Sequence, residues 1–247
     1  MQLEDDFYDV LGKAIRGLNF DTSSFELDTD RLRNCLNGEF DAEIIRALSP
    51  HLNLNTERLL KLPDYQPQVK LPSSIKIFTS PYGHIGVNAF TLETETHLLI
   101  FDTGTNAQDC IHYLTQFPEK EKHLLLTHMH HDHVECEHHL LPHVQTSQMH
   151  KPDQTLTFGE LTIRTLDVAG HLPTATAYLI HGLDLPICIL GDAIFAGSIG
   201  SVPQNYYQLA LSNIRENLLT LPPETILLTG HGPATSVGLE LENNPFV

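Results

Sequence analysis

Cysteine is scarce, with Cys35, Cys110, Cys136 and Cys188 scattered through 247 residues and no C-x-x-C pair. That spacing argues against a disulfide framework and leaves free buried thiols as the expectation. Apolar runs are short, none approaching the ~18 residues a membrane helix needs, so no membrane partner is expected. The opening Met1-Gln2-Leu3-Glu4-Asp5-Asp6 lacks the basic and apolar regions of a signal peptide, which reads as a cytoplasmic protein. Basic residues are few: 14 Lys and Arg stand against 31 Asp and Glu, a net charge of −17 with histidine neutral. Tracking nucleic-acid phosphates takes clustered Lys and Arg, so that class of partner is disfavoured. Anionic small molecules stay open, because bound divalent cations would make a local positive well. There is no internal repeat and no low-complexity tract.

What remains is a globular composition, 41% apolar and 18% charged. The length suits one large domain or one domain with a small appendage. Residues 1–61 read as a small helical unit. Phe7, Val10, Leu11, Ala14, Ile15 and Leu18 recur at helical spacing, and short helical patterns follow over 29–36, 41–48 and 56–61. Thr29 and Asp41 are expected N-caps and Gly38 a stop. In size and spacing the unit resembles helix-turn-helix domains, whose third helix, taken as the one carrying Arg31 and Arg33, would read a DNA groove. Its twelve acidic against seven basic residues favour a docking or dimerisation module instead, and with it a homo-oligomer. Residues 62–74, with Pro63, Pro67 and Pro72, read as a linker.

From 75 to 247 the pattern changes to strands, expected over 74–79, 87–93, 97–102, 123–127, 144–147, 155–158, 161–167, 175–181, 187–190 and 225–229. Helices are expected over 106–117 and 206–221. Asp102-Thr103-Gly104, after an apolar strand, reads as a loop-fixing turn.

Eight of the sixteen histidines lie between His123 and His143. Within them His128-Met129-His130-His131-Asp132-His133 follows the apolar run 123–127. His128 and His130, two apart, can converge on one cation. Asp132 and His133 are adjacent and point apart, which suits a second. Imidazole with carboxylate fits Zn²⁺ and similar divalent ions. His138, His139 and His143 read as a surface patch, and His131 as facing solvent. Cys136, three residues after His133, is a further candidate. His171, Asp192 and His231 each follow an apolar strand at a glycine turn: Gly170-His171, Gly191-Asp192 and Gly230-His231-Gly232. Glycine lets the backbone turn sharply close to an ion.

These motifs, with Gly191-Asp192-Ala193-Ile194-Phe195-Ala196-Gly197-Ser198 and the tail through Asn244-Pro245-Phe246, resemble the metallo-β-lactamase-fold hydrolases, and most closely their glyoxalase II-like (hydroxyacylglutathione hydrolase-like) members, over about 75–247. The resemblance implies an α+β fold, an αββα sandwich preceded here by a small all-α N-terminal domain. It implies two divalent metal ions, zinc first, with iron or manganese as alternatives. His128, His130 and His171 would hold one ion, Asp132, His133 and His231 the other, and Asp192 would bridge. The implied reaction is hydrolysis of a thioester or a related ester or lactone, with Asp132 assisting the leaving group. Where glyoxalase II has a basic helical C-terminal domain that grips glutathione, no counterpart is expected after Phe246. Gly200-Ser201 replaces its usual Gly-Arg, and Leu172 and Thr174 alter the turn at His171. These departures point away from glutathione thioesters, and none touches a metal ligand. Two other readings stand beside the hydrolase: a persulfide dioxygenase-like enzyme with one iron, and a regulatory or interaction protein with a metal-sensing domain.

Overall fold

The computed structural model describes residues 2–24, 27–83 and 85–247. Four helices come first: α1 (Phe7–Leu18), α2 (Thr29–Leu36), α3 (Ala42–Leu48) and α4 (Thr56–Lys61). Then follow β1 (Ile75–Tyr82), β2 (Ile85–Glu93), β3 (His97–Phe101), α5 (Gln108–Leu114), β4 (Glu121–Leu125), α6 (His131–Val134), α7 (Glu137–Leu140) and β5 (Thr146–Gln148). The second half holds β6 (Thr155–Phe158), β7 (Leu161–Asp167), β8 (Thr176–His181), β9 (Ile187–Gly191), β10 (Ile194–Phe195), β11 (Ser198–Ile199), α8 (Tyr207–Asn213), β12 (Ile226–Thr229), β13 (Thr235–Ser236) and α9 (Val237–Asn243).

The strands form two main sheets, ordered β1-β2-β3-β4-β5 and β13-β12-β9-β8-β7-β6. Alternation along each strand sorts side chains between layers. Leu99 and Phe101 of β3 meet Tyr178 and Ile180 of β8 and Ile187 and Ile189 of β9 between the sheets. The intervening Leu98 and Ile100 face Cys110 and Leu114 of α5 on the outside of the first sheet. Cys188 and Leu190 of β9 face outward on the second sheet, with Leu211 of α8, Val237 of α9 and Leu11 of α1. The result is the αββα sandwich that the resemblance implies.

Among the described residues the N-terminal helices share a core with the second sheet, since Val10, Leu11, Ile44, Ile45, Leu48 and Leu59 belong to one cluster with its outer face. Gly17 of α1 lies so close to the Tyr207 ring that a Cβ would collide with it. Arg58 donates to the Asn244 carbonyl at 3.0 Å and to those of Leu241 and Val247. The stretch 62–74 is also held down: Leu62 is buried, Val69 and Leu71 pack against the inter-sheet core, and Tyr65 donates to Glu240 at 2.8 Å.

Several boundaries differ from the sequence reading. Asp28, not Thr29, caps α2, its side chain accepting from the amides of Asp30 and Arg31. Arg31 and Arg33 lie on the second helix, not a third, and their guanidinium groups are engaged, Arg31 with Asp41 and Glu43 and Arg33 with Asp30. β4 ends at Leu125, because the Thr127 amide donates to the Asp102 side chain at 2.8 Å rather than to a neighbouring strand. The helix expected over 206–221 is α-helical only to Asn213 and widens to a π turn over Ile214–Leu218. Asn213, just before that widening, and Asn217, within it, donate to the carbonyls of Ala169 and Asp167, each at 2.8 Å, and so hold the loop leading to His171.

Candidate metal centre

The centre forms where chain reversals at one end of both sheets meet. β4 leads to His128 and His130, and the short α6 carries Asp132 and His133. His171 stands on the turn after β7, Asp192 follows β9, and His231 follows β12. Two glycines make this approach feasible. Gly191 has φ +54°, and a Cβ there would collide with Thr127 Oγ1. A Cβ on Gly230 would collide with Asp192 Oδ1 and lie 2.7 Å from His133 Cε1.

All seven residues singled out in the sequence converge. Ligand atoms of His128, His130, His171 and Asp192 form one group within 4.8 Å of one another, and those of Asp132, His133 and His231 form a second. Asp192 links them, with Oδ1 3.2 Å from His133 Nε2 and Oδ2 3.4 Å from both His171 Nε2 and His231 Nε2. Asp132 Oδ2 lies 3.3 Å from His231 Nε2.

The far ring nitrogens are fixed. His133 Nδ1 donates to Asp102 Oδ2 at 2.8 Å. Asp102 also accepts from the Thr127 amide at 2.8 Å and its hydroxyl at 2.7 Å. With its proton so committed, the Thr127 oxygen accepts from His128 Nδ1 at 3.0 Å. His171 Nδ1 donates to the Ser201 carbonyl at 2.5 Å and His231 Nδ1 to that of Gly86 at 2.8 Å. Each of these bonds selects the tautomer that leaves Nε2 as a lone pair facing the centre. Asp102 adopts φ +58°, rare for a non-glycine residue, and is buried. The strain of order 1 kcal/mol that such a backbone stores persists at functional sites where the surroundings impose it. Sequence reading placed Asp102 as a loop-fixing residue and missed its role in orienting His133. Its partners are 25 and 31 positions away.

A divalent cation fits the donor set. His128 Nε2, His133 Nε2 and Asp192 Oδ1 are buried without a hydrogen-bond partner, a costly state for polar atoms unless an ion satisfies them. Without an ion, burial and then the neighbouring His133 push His128 well below its ordinary value. Burial disfavours the charged form of His133 too, but Asp192 and Asp102 outweigh it and raise His133 to about 10. Burial likewise opposes ionisation of Asp192, yet His133 and His231 hold it well below the usual carboxylate range. Asp132 is also lowered: burial acts against this, and His231 and His133 prevail. Neutral imidazoles and ionised carboxylates are the forms that bind divalent ions, so an ion bound here would displace the proton that His133 otherwise holds at neutral pH.

Cys136 does not join the centre: it is buried in the cluster beneath α5, and no ligand group among the described residues includes it. His131, His138 and His139 are exposed, as read, and His143 is half-buried.

A cleft of about 910 Å³ opens onto the centre. Its wall includes Tyr82, Ile85 and Phe195, and also Glu4, Lys13 and Arg16 from the N-terminal segment and α1. Lys13 is buried against Asp5, donates to the Ile199 carbonyl at 2.7 Å and lies 5.1 Å over the Phe195 ring. Nothing in the sequence pattern brought residues 2–16 to this cleft.

Residues 145–231 match the family model described as the metallo-beta-lactamase superfamily. That stretch takes in His171, Asp192 and His231 and begins after the 128–133 motif, which the fold brings to the same place. The chain is 29% identical over 202 residues to the probable metallo-hydrolase YqgX of Bacillus subtilis (strain 168), covering 68% of this chain and 95% of that one. It is 29% identical over 191 residues to the hydroxyacylglutathione hydrolase GloC of Haemophilus influenzae (strain ATCC 51907 / DSM 11121 / KW20 / Rd), covering 63% and 89%. Among solved structures it is similar to the BLEG-1 B3 metallo-beta-lactamase, with TM-score 0.56 and 26% identity over 69% of this chain and 99% of that one.

Proposed function

Taking as premise that the chain carries a metallo-beta-lactamase superfamily domain, we propose a hydrolase with two divalent metal ions, zinc first, that cleaves a thioester or a related ester or lactone. The observation that carries this reading is the convergence of seven donor side chains with Asp192 between the two groups. His128, His130 and His171 would hold one ion, Asp132, His133 and His231 the other, and Asp192 would serve both. Such ions, when bound, supply Lewis acidity and lower the pKa of water towards ~7.

The chain's own groups do the rest. Tyr82, Ile85 and Phe195 give the acyl group an apolar wall. Arg16 is exposed and lines the cleft, and its side chain makes no ion pair or hydrogen bond among the described residues, which suits a negatively charged group on the substrate. Asp132, ionised at neutral pH, takes a proton from the attacking water and returns it to the departing sulfur or oxygen. Overall, a C–O bond forms, the C–S or C–O bond to the leaving group breaks, and an acid and a thiol or alcohol are released.

The test is elemental analysis of the purified protein beside a panel of thioester, lactone and β-lactam substrates. Thioester turnover in the metal-loaded protein, lost in His128→Ala, is expected. No turnover anywhere on the panel would overturn the proposal. So would one iron per chain with oxygen uptake on a persulfide, which would identify an oxygenase instead.

A further inference from the structure

At the opposite end of β4 from the cleft stands a second set of donors. β3 and β4 run parallel with His97 opposite Glu121 and Leu99 opposite His123. Leu99 points between the sheets, so His97, Glu121 and His123 share that side, at the rim of the inter-sheet core. Phe158, from the β6–β7 hairpin of the other sheet, packs on both imidazoles, with ring centroids 5.9 Å from His97 and 5.0 Å from His123.

The two rings are held in the same way. His97 Nδ1 is 2.8 Å from Thr96 Oγ1, and His123 Nδ1 is 2.8 Å from Thr146 Oγ1. Both Nε2 atoms then face one carboxylate oxygen, Glu121 Oε2, at 3.7 and 3.8 Å. Those separations are too long for hydrogen bonds. They are close to the span a shared ion requires, since bonds of ~2.0–2.1 Å in tetrahedral geometry set donors about 3.4 Å apart. Ligand atoms of all three residues lie within 4.8 Å of one another. Burial, and then His97 beside it, hold His123 below its ordinary value, which keeps its lone pair available at neutral pH.

We propose that His97, Glu121 and His123 form an accessory site for a transition-metal cation, Zn²⁺ or a similar divalent ion, separate from the catalytic pair. Two imidazoles and a carboxylate, each ring anchored through its other nitrogen, are a zinc-type donor set with one position open to solvent or to an outside ligand. Glu121 is the exposed member, so an ion enters from its side. An ion here ties β3 to β4 at the end away from the cleft.

Zinc content, after equilibration with free Zn²⁺ and removal of the excess, reads the site directly. The unaltered protein is compared with His97→Ala, His123→Ala and Glu121→Gln, the last removing a ligand charge without disturbing packing. Each variant is expected to hold one equivalent of zinc per chain fewer than the parent, while hydrolysis of the test esters stays the same. A Co²⁺ titration monitored by visible absorption should likewise lose one binding step. Variants that retain the parent's zinc content and its Co²⁺ steps would overturn the site, leaving an ordinary histidine–carboxylate contact. Because the readout counts ions, it stands or falls independently of the hydrolase reading.

Discussion

Asp102 concentrates several demands in one carboxylate: it orients His133, anchors the Thr127 amide and hydroxyl, and sits in a left-handed backbone. Partners in this position typically govern metal affinity by ~10–100-fold. Asp102→Ala should therefore weaken zinc binding by about that factor in a competition titration with a chromophoric chelator, with His133 in place but free to turn. An affinity equal to the parent's would show that the imidazole needs no such support. Glu93 gives a residue-scale test remote from the centre. It accepts from Lys120 at 2.6 Å and Tyr113 at 2.8 Å, and Lys120 foremost holds its carboxyl below the ordinary value. A depressed carboxylate contributes stability that is present above its unfolded pKa and is lost as pH falls through its folded one. Glu93→Gln should flatten the acid limb of thermal stability below about pH 5, by no more than ~1 kcal/mol for a partly exposed pair. An unchanged acid limb would remove the pair from the account.

Among the elements, α1 carries a buried ion pair, that of Lys13 with Asp5. Lys13 and Asp5 are both buried and paired, and removing one partner of such a pair typically costs ~3–5 kcal/mol because the other charge is stranded. Asp5→Ala should lower the free energy of chemical unfolding by about that amount, and α1 should detach from the cleft wall. The strands show which elements a sequence declares. Leu161–Asp167 and Thr155–Phe158 match the expected limits because period-two alternation is strong there and turns bound both ends. The motif at 128–133 and the glycine junctions at 171, 192 and 231 were legible because metal donors beside glycine are rare in combination. β10, β11 and β13 are two residues each, too short to show any period. The packing of α1 against Tyr207 and the joining of His97 to His123 were hidden for another reason. They depend on strand order and on contacts between distant segments, which no local pattern records.

For the molecule as a whole, metal and stability should be linked. Ions that bind the folded chain alone stabilise it by ~2.7 kcal/mol at a hundredfold excess over Kd. Chelation should lower the thermal midpoint and abolish hydrolysis, and added Zn²⁺ should restore both. A midpoint indifferent to chelator would sever that link. Charge acts at the same scale. With −17 overall and the arginines of α2 already paired to acids, no retardation of DNA is expected in a low-salt gel shift. Specific retardation abolished by changing Arg31 and Arg33 would favour a regulatory role instead. Among the described residues no helix is long and apolar enough to cross a membrane.

Part of the cleft's rim is furnished by Glu4, Lys13 and Arg16, upstream of the region that resembles the hydrolases. Guest preference can therefore drift through changes at Glu4 and Arg16 while every ion donor stays where it is. Substituting Glu4 and Arg16 with residues of different charge should retune which compounds are accepted and leave the metal content untouched.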